Sequence, residues 1–287
     1  AMKHPFRYAS HSPNVTATRV VIPGLVTAED VRERREKWGE DSPLYRSGVL
    51  GEWATELDDT LISLGWATAA TARRVCARCS LADPGEGHEA ACKLPPPSPV
   101  LGVDVARYGS DKSIVMRRDG PVARLLWRVQ GHDTQEVAGW IGRYCRENPA
   151  RGSVVVDEVG VGGGVVDALK HNRLADPGFL RGWTVVPFSG GETAREKDRY
   201  VNRNAEAWYL MREAFREGRV SIPNDQALVG QLVSRRYTIQ GDARVRLESK
   251  EDYRRDGRPS PDEADALAMT FSPFYKPGTL ETALRFI

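Results

Sequence analysis

The sequence lacks any run of about eighteen apolar residues, which excludes a bilayer-spanning helix. No basic leader with an apolar stretch opens it, which argues against secretion. It has no internal repeat and no long low-complexity segment. Charge of one sign is also missing: 41 Lys and Arg stand against 39 Asp and Glu, a net charge of +2. Global charge therefore does not mark a nucleic-acid binder, and only local clusters can carry that argument. No G-x-x-x-x-G-K-[ST] is present, because GSDKS at 109–113 fails the spacing, so this chain has no Walker-type ATPase site. What remains is 287 residues, 40% hydrophobic and 28% charged, enough for one large globular domain or two small ones.

Along the chain, residues 1–70 read as an irregular lead-in followed by helix. A short strand is expected at 19–22 (RVVI), ended by Pro23-Gly24. Thr27, three residues before Asp30, is placed to cap a charged helix running to about Trp38. Ser42-Pro43 begins a further helical segment toward Trp53. After 71–97, which ends in the stiff connector Pro95-Pro96-Pro97, the pattern changes. Strands are expected at 100–106, at 112–118 and 122–129 around the Asp119-Gly120 turn, at 153–159 and at 183–188. Others are expected at 219–223, 235–240 and 244–249. Thr134 caps a helix with Val137, Ile141, Tyr144 and Cys145 on one face, which makes Cys145 a core residue. Further helices are expected near 165–171, at 202–217 with Trp208, Met211 and Phe215 on one core-facing stripe, and from Ser260 as cap with Pro261 in first position. Strand-strand-strand-helix-strand-helix-strand gives an α/β fold: a mixed sheet flanked by helices, consistent with an RNase H-like core.

Two acids interrupt apolar strands. Asp104 ends VLGVD and Asp157 ends SVVVD, places unfavourable to an ionised carboxylate unless positive charge offsets its desolvation. Asp262, Glu263 and Asp265 open the last helix, where the positive helix end tolerates acids. Each acid alone has a structural reading: a turn cap for Asp157, dipole complement for Asp262 or Glu263, an arginine partner for Asp104. Together, acids from two strands and a helix with no nearby histidine suit Mg²⁺ or Mn²⁺. Two such ions can activate water and stabilise the leaving oxygen of a phosphodiester. GVGGG at 160–164 is not a dinucleotide fingerprint, since Asp157-Glu158 intervenes and no acid ends the next strand. Its glycines are expected to let a backbone or a substrate approach the metal centre closely. Two basic stretches, 195–203 and 244–258, are candidate phosphate contacts against the alternative of a solvated mixed-charge surface.

Three of the four cysteines lie within 17 residues, beside His88. Cys76-x2-Cys79-x8-His88-x3-Cys92 supplies three thiolates and one imidazole, enough for a closed tetrahedral Zn²⁺ site. The alternative is reduced thiols in a flexible loop. A four-ligand site is structural rather than catalytic, so 71–97 is expected as a zinc-binding insertion.

LGVDVARYGSDKS, VVVDEVGVGGGVVDAL and SPDEADALAMTF resemble the three acid motifs of the nuclease domain of the large terminase subunit of tailed bacteriophages. The resemblance spans about residues 98–275, and its most specific part is LESKEDYRRDGRPSPDEADALAM. PNVT, VIPGLVT and WGEDSPLYRSGVLGEW are similar to the segment joining that family's ATPase domain to its nuclease. The resemblance implies a lead-in at 1–70 from an ATPase domain absent here, and an RNase H-like nuclease at 98–287. It implies Asp104, Asp157 and Asp265 as metal-binding catalytic acids, with Asp262 sharing the third position and Asp111 near the second ion. Lys250, Arg254 and Arg255 then face the DNA. The implied function is two-metal endonucleolytic cutting of concatemeric double-stranded viral DNA during genome packaging, in the cytoplasm of the infected bacterium. The ATPase domain, portal and small terminase subunit would be its partners, with no membrane involved. Another RNase H-like DNA enzyme, such as a Holliday-junction resolvase or transposase, and a non-catalytic motor docking module are the alternatives. The Cys/His insertion is not a feature of that family.

Overall fold

The computed structural model describes residues 28–38, Tyr45, Val49, 60–106 and 112–273. The expected strand at 19–22, nearly all of the helix toward Trp53, and Asp111 lie outside the described residues. The chain divides into two compact units, residues 1–60 and 61–287. In the first, helix α1 (Ala28–Trp38) carries Glu29 and Asp30 in its first turn, where they complement the helix dipole.

The second unit is built on a five-stranded sheet: β1 (Val100–Asp104), β2 (Ser113–Asp119), β3 (Val122–Val129), β4 (Ser153–Asp157) and β5 (Thr184–Phe188). Its order is β3-β2-β1-β4-β5. β1, β2 and β3 form an antiparallel meander, whereas β4 and β5 join parallel to β1. β1 and β4 read as nearly continuous apolar runs because both faces of the sheet are covered.

Side-chain alternation sorts the sheet into two cores. Leu101, Val103, Val154 and Val156 pack with helices α4 (Thr134–Glu147) and α5 (Gly162–Ala175), burying Ile141, Cys145, Val165 and Leu169. Val100, Ile114, Met116 and Val155 face the other way. There they join the cluster formed by α2 (Leu64–Ala72), α6 (Arg203–Arg216), α7 (Gln226–Ser234) and α9 (Asp262–Met269). Leu61, Ile62, Ala67 and Ala70, within the stretch expected as lead-in, are fully buried in that same cluster. Between these come the one-turn helix α3 (His88–Ala91), the hairpin β6 (Tyr237–Ile239) and β7 (Val245–Leu247), and α8 (Lys250–Arg255). No described helix is long and apolar enough to cross a membrane.

Three local expectations are corrected. α4 is capped by Asp133, not Thr134: the Asp133 carboxylate accepts from Glu136 N at 2.8 Å and the Glu136 side chain accepts from Asp133 N at 3.0 Å. A charged acceptor makes the stronger cap. Ser260 does not cap α9, whose flanking residue is Pro261, with no side-chain cap of its own. A distant residue replaces it, Gln231 Oε1 accepting from Ala264 N at 3.0 Å. Residues 219–223 form no strand but a single bridge from Ser221 to Val122, with Pro223 unable to donate further.

Gly102 decides how closely α9 approaches the sheet. A Cβ built there would lie 1.9 Å from the Ala266 carbonyl oxygen and 3.0 Å from Thr270 Cγ2, so β1 and α9 touch backbone to backbone. Gly102→Ala is therefore expected to destabilise by about 1–3 kcal/mol or more, since neither element can yield without moving the core. Gly139→Ala, at a helical position with nothing within 4 Å, is expected to be neutral or stabilising by up to about 1 kcal/mol. Denaturant midpoints of the two variants measure the contrast; equal midpoints would refute the tight contact.

Candidate active site

Asp104 and Asp157 come together through strand register. β1 and β4 are parallel neighbours with Val103 opposite Val156, so the next residue on each strand is an aspartate at the same end of the sheet. Asp104 shares its strand face with Val100 and Gly102, and Asp157 shares its face with Val155. Both therefore lie on the side that α9 covers. α9 brings Asp262 and Asp265 in its first turn, close to β1 because residue 102 is glycine. At the start of α5, a Cβ on Gly162 would lie 1.6 Å from the Asp157 carbonyl oxygen, so the helix backbone packs directly on the end of β4.

Burial and like charge govern the electrostatics. Asp104 Oδ2 is buried with no hydrogen-bond partner. Desolvation holds the Asp104 carboxyl well above the usual carboxylate range, and Asp265, Asp262 and Asp157 push it the same way, while Lys250 opposes them. Asp157 is also raised by desolvation, against a hydrogen bond from Val159 N to its Oδ1 at 3.1 Å and the pull of Lys250. Asp265 is held from both sides: the Trp208 indole donates to Oδ1 at 2.8 Å, and Lys250 Nζ lies 3.3 Å from Oδ2. Attraction by Asp265 chiefly, then by Asp104 and Asp157, raises the Lys250 ammonium above its ordinary value.

Lys250, its side chain still 44% exposed, thus lies against the carboxylates on the same helix as Arg254 and Arg255. Four acids gathered at a partly buried edge require a counter-charge, and Lys250 supplies it. Arg254 is exposed, one helical turn along the same side of α8. Arg255 pairs with Asp252. Glu263 points away from the cluster to Arg128 Nε at 2.8 Å and to Gln231, so it anchors α9 to β3 and α7. Two participants escaped the sequence reading. Trp208 was expected only as core, although a buried indole N–H needs an acceptor, and that requirement was the available signal. Arg235, fully buried, stacks between Trp208 at 5.6 Å and Tyr253 at 5.4 Å. No local pattern announced it.

Cys76, Cys79, His88 and Cys92 are also brought together, their ligand atoms all within 4.8 Å of one another. Among the described residues the acids are not gathered that tightly. Cys145 is core, its thiol pushed up to about 12 by burial.

No protein-family model matches this sequence and no curated protein matches it. Solved structures do. The nuclease domain of the large terminase subunit gp2 of bacterial virus Sf6 is 19% identical with a TM-score of 0.59, over 75% of this chain and 99% of that domain. A lysine-to-alanine mutant of that domain, with manganese and beta-thujaplicinol, gives 18% and 0.59 over the same shares. The large terminase nuclease from thermophilic phage G20c with bound magnesium is 18% identical with a TM-score of 0.43, over 61% and 80%. The chain has the RNase H-like fold of the nuclease domain of a phage large terminase subunit.

Proposed function

We propose that this chain is the nuclease part of a large terminase subunit, a metal-dependent endonuclease that cuts concatemeric double-stranded viral DNA during genome packaging. Its setting would be the cytoplasm of an infected bacterium, beside the ATPase domain, portal and small terminase subunit. One observation carries the reading: a buried, unpartnered carboxylate oxygen on Asp104, surrounded by three further acids at one edge of an RNase H-like sheet. A structural acid would be paired, as Glu263 is with Arg128. An orphaned carboxylate among like charges suits a divalent cation. The manganese reported with the Sf6 domain is in keeping with that chemistry.

Asp104, Asp157 and Asp265 would hold two Mg²⁺ or Mn²⁺ ions, with Asp262 beside the third acid and Asp111 near the second ion. Bound there, the ions supply water activation and stabilisation of the leaving oxygen. The chain's own residues prepare the place. Trp208 fixes the orientation of Asp265. Lys250 stabilises the metal-free cluster, and its ammonium is available to a phosphate oxygen once cations neutralise the acids. Arg254, exposed along the same side of α8, would hold the DNA backbone beside the cut.

Asp104→Asn and Asp157→Asn are each expected to abolish Mn²⁺-dependent nicking of supercoiled plasmid. Removing a desolvated charge from a like-charged cluster should leave metal-free thermal stability at or above that of the parent. It should also remove the stabilisation that Mn²⁺ gives. Wild-type cutting by either variant would end the ligand assignment. Cutting confined to four-way junctions would point to a resolvase, and no cutting with any metal to a docking module.

Arg254→Ala is expected to weaken duplex DNA binding and to shallow the dependence of log affinity on log salt by about one unit, since one phosphate contact releases about one counterion. Arg255→Ala, whose guanidinium is already paired with Asp252, should change the slope less. Binding isotherms across a salt series test both, and an unchanged slope for Arg254→Ala returns α8 to an ordinary solvated surface.

A further inference from the structure

The segment between α2 and β1 folds without a core. From residue 77 to residue 98 only Pro84 is buried, while Leu81 and Leu94 are 50% and 51% exposed. Its backbone is nevertheless tightly specified. Val75 bridges Ala82 antiparallel, Cys76 N donates to Leu81 O at 3.0 Å and Ser80 N donates to Cys76 O at 3.0 Å, which closes a small hairpin. Ser80 and Asp83 take positive φ, 59° and 46°, a conformation that side chains other than glycine adopt only when something holds them there. Four residues after His88, on the same side of α3, comes Cys92, whose N–H donates to His88 O at 2.8 Å. A hairpin with two thiols thus faces a helical turn with one thiol and one imidazole. All four cysteines of the chain are free, so no disulfide accounts for the closure.

We propose that Cys76, Cys79, His88 and Cys92 bind one zinc ion that holds this lobe together. The donors lie within 4.8 Å of one another, with Cys79 Sγ 3.2 Å from His88 Nε2. Three soft sulfurs and an imidazole select zinc over the magnesium or manganese that carboxylates take. Four protein ligands leave no open position for water, which makes the ion structural.

Strand register fixes where the ion acts. A Cβ on Gly120 would lie 2.7 Å from Ala77 O and 3.3 Å from Pro97 Cγ, so the lobe is seated on the β2–β3 turn. That turn follows Arg118, which pairs with Val100, whereas Asp104 pairs with Ile114 at the other end of β1. Four residues of strand, roughly 13 Å at about 3.3 Å each, separate the two ends. Just before the lobe, Arg73 donates to Val220 O at 2.8 Å and Ser221 Oγ donates to Arg73 O at 2.7 Å. Zinc therefore staples the connection between α2 and β1 at the end of the sheet remote from the acids, and takes no part in cleavage.

Elemental analysis of the chain, purified under reducing conditions without added zinc, is expected to find about one zinc per chain. Exchange with Co²⁺ should give thiolate-to-cobalt absorption with tetrahedral d–d bands. Cys79→Ser and Cys92→Ser should each lower the zinc content to under about a tenth, whereas Cys145→Ala should leave it at about one. Should those variants fail to fold, chelator removal of zinc from the wild type decides: hydrogen exchange should rise over 73–98 and stay protected in the five strands. Mg²⁺- or Mn²⁺-dependent cutting, where the wild type shows it, should survive chelation once Mg²⁺ or Mn²⁺ is restored. A zinc-free wild type with four reduced thiols, or full zinc retention in both serine variants, overturns the site. Loss of cutting that zinc alone restores overturns its structural role.

Discussion

The contact between α9 and β1 at Gly102 is the constraint on which the rest of the second unit depends. With no side chain at 102, the Ala266 carbonyl lies against strand backbone. α9 can then bury Ala264, Ala266, Leu267 and Met269 in the larger core while its first turn reaches the end of the strands. The same contact makes the cluster of acids. Asp104 is two residues beyond Gly102 on the same face, so whatever brings α9 near one brings Asp265 near the other. Packing and the placing of the acids are not separable here: a side chain at 102 that pushed α9 away would also move Asp265 away from Asp104.

Such a cluster is unstable in isolation, and the surrounding residues show how the strain is contained. Glu263 is taken out of it by Arg128, which also pairs with Asp225, the cap of α7. Asp265 accepts from the Trp208 indole through Oδ1 and has the Lys250 ammonium 3.3 Å from Oδ2. Asp104 Oδ2 has no hydrogen-bond partner, Asp265 Oδ2 has only the Lys250 ammonium beside it, and desolvation drives the Asp104 carboxyl well above the ordinary range. Protein groups thus offset the charge of these acids unevenly, and least at Asp104.

Much of this was legible in the sequence because it is local. An aspartate ending VLGVD or SVVVD declares itself by interrupting an apolar strand, and the Cys/His spacing declares a ligand set whatever the fold around it. Residues whose roles depend on distant partners were not legible. The basic composition of α8 marked Lys250 as a surface cation, and only the positions of Asp104, Asp157 and Asp265 show that its charge also meets the carboxylates. Ser260 had the residue type of a cap, but Gln231, 33 positions from the helix amide it serves, does that work. The short helices α2, α7 and α8 carry weak periodicity of their own and owe their form to caps and neighbours, such as Ser63 on Trp66 N and Ser249 on Asp252 N.

The column of rings and guanidinium groups behind the acids extends the same logic one layer outward. Trp208, on α6, holds one oxygen of Asp265, and Lys250, on α8, holds the other. The Arg235 guanidinium lies over the rings of Trp208 and of Tyr253, a residue of α8, and that of Arg258 lies over Tyr253 at 4.1 Å. Tyr253 is tied in turn to Ser234 by a 2.7 Å hydrogen bond between hydroxyls, and Arg258 to Glu248 at 2.6 Å. Arg235 Nε and Nη1 are buried without a hydrogen bond, so the faces of Trp208 and Tyr253 are what its charge meets. Trp208, whose indole holds Asp265, is thereby linked through Arg235 to the helix that carries Lys250, and a shift of α8 relative to α6 would disturb those contacts.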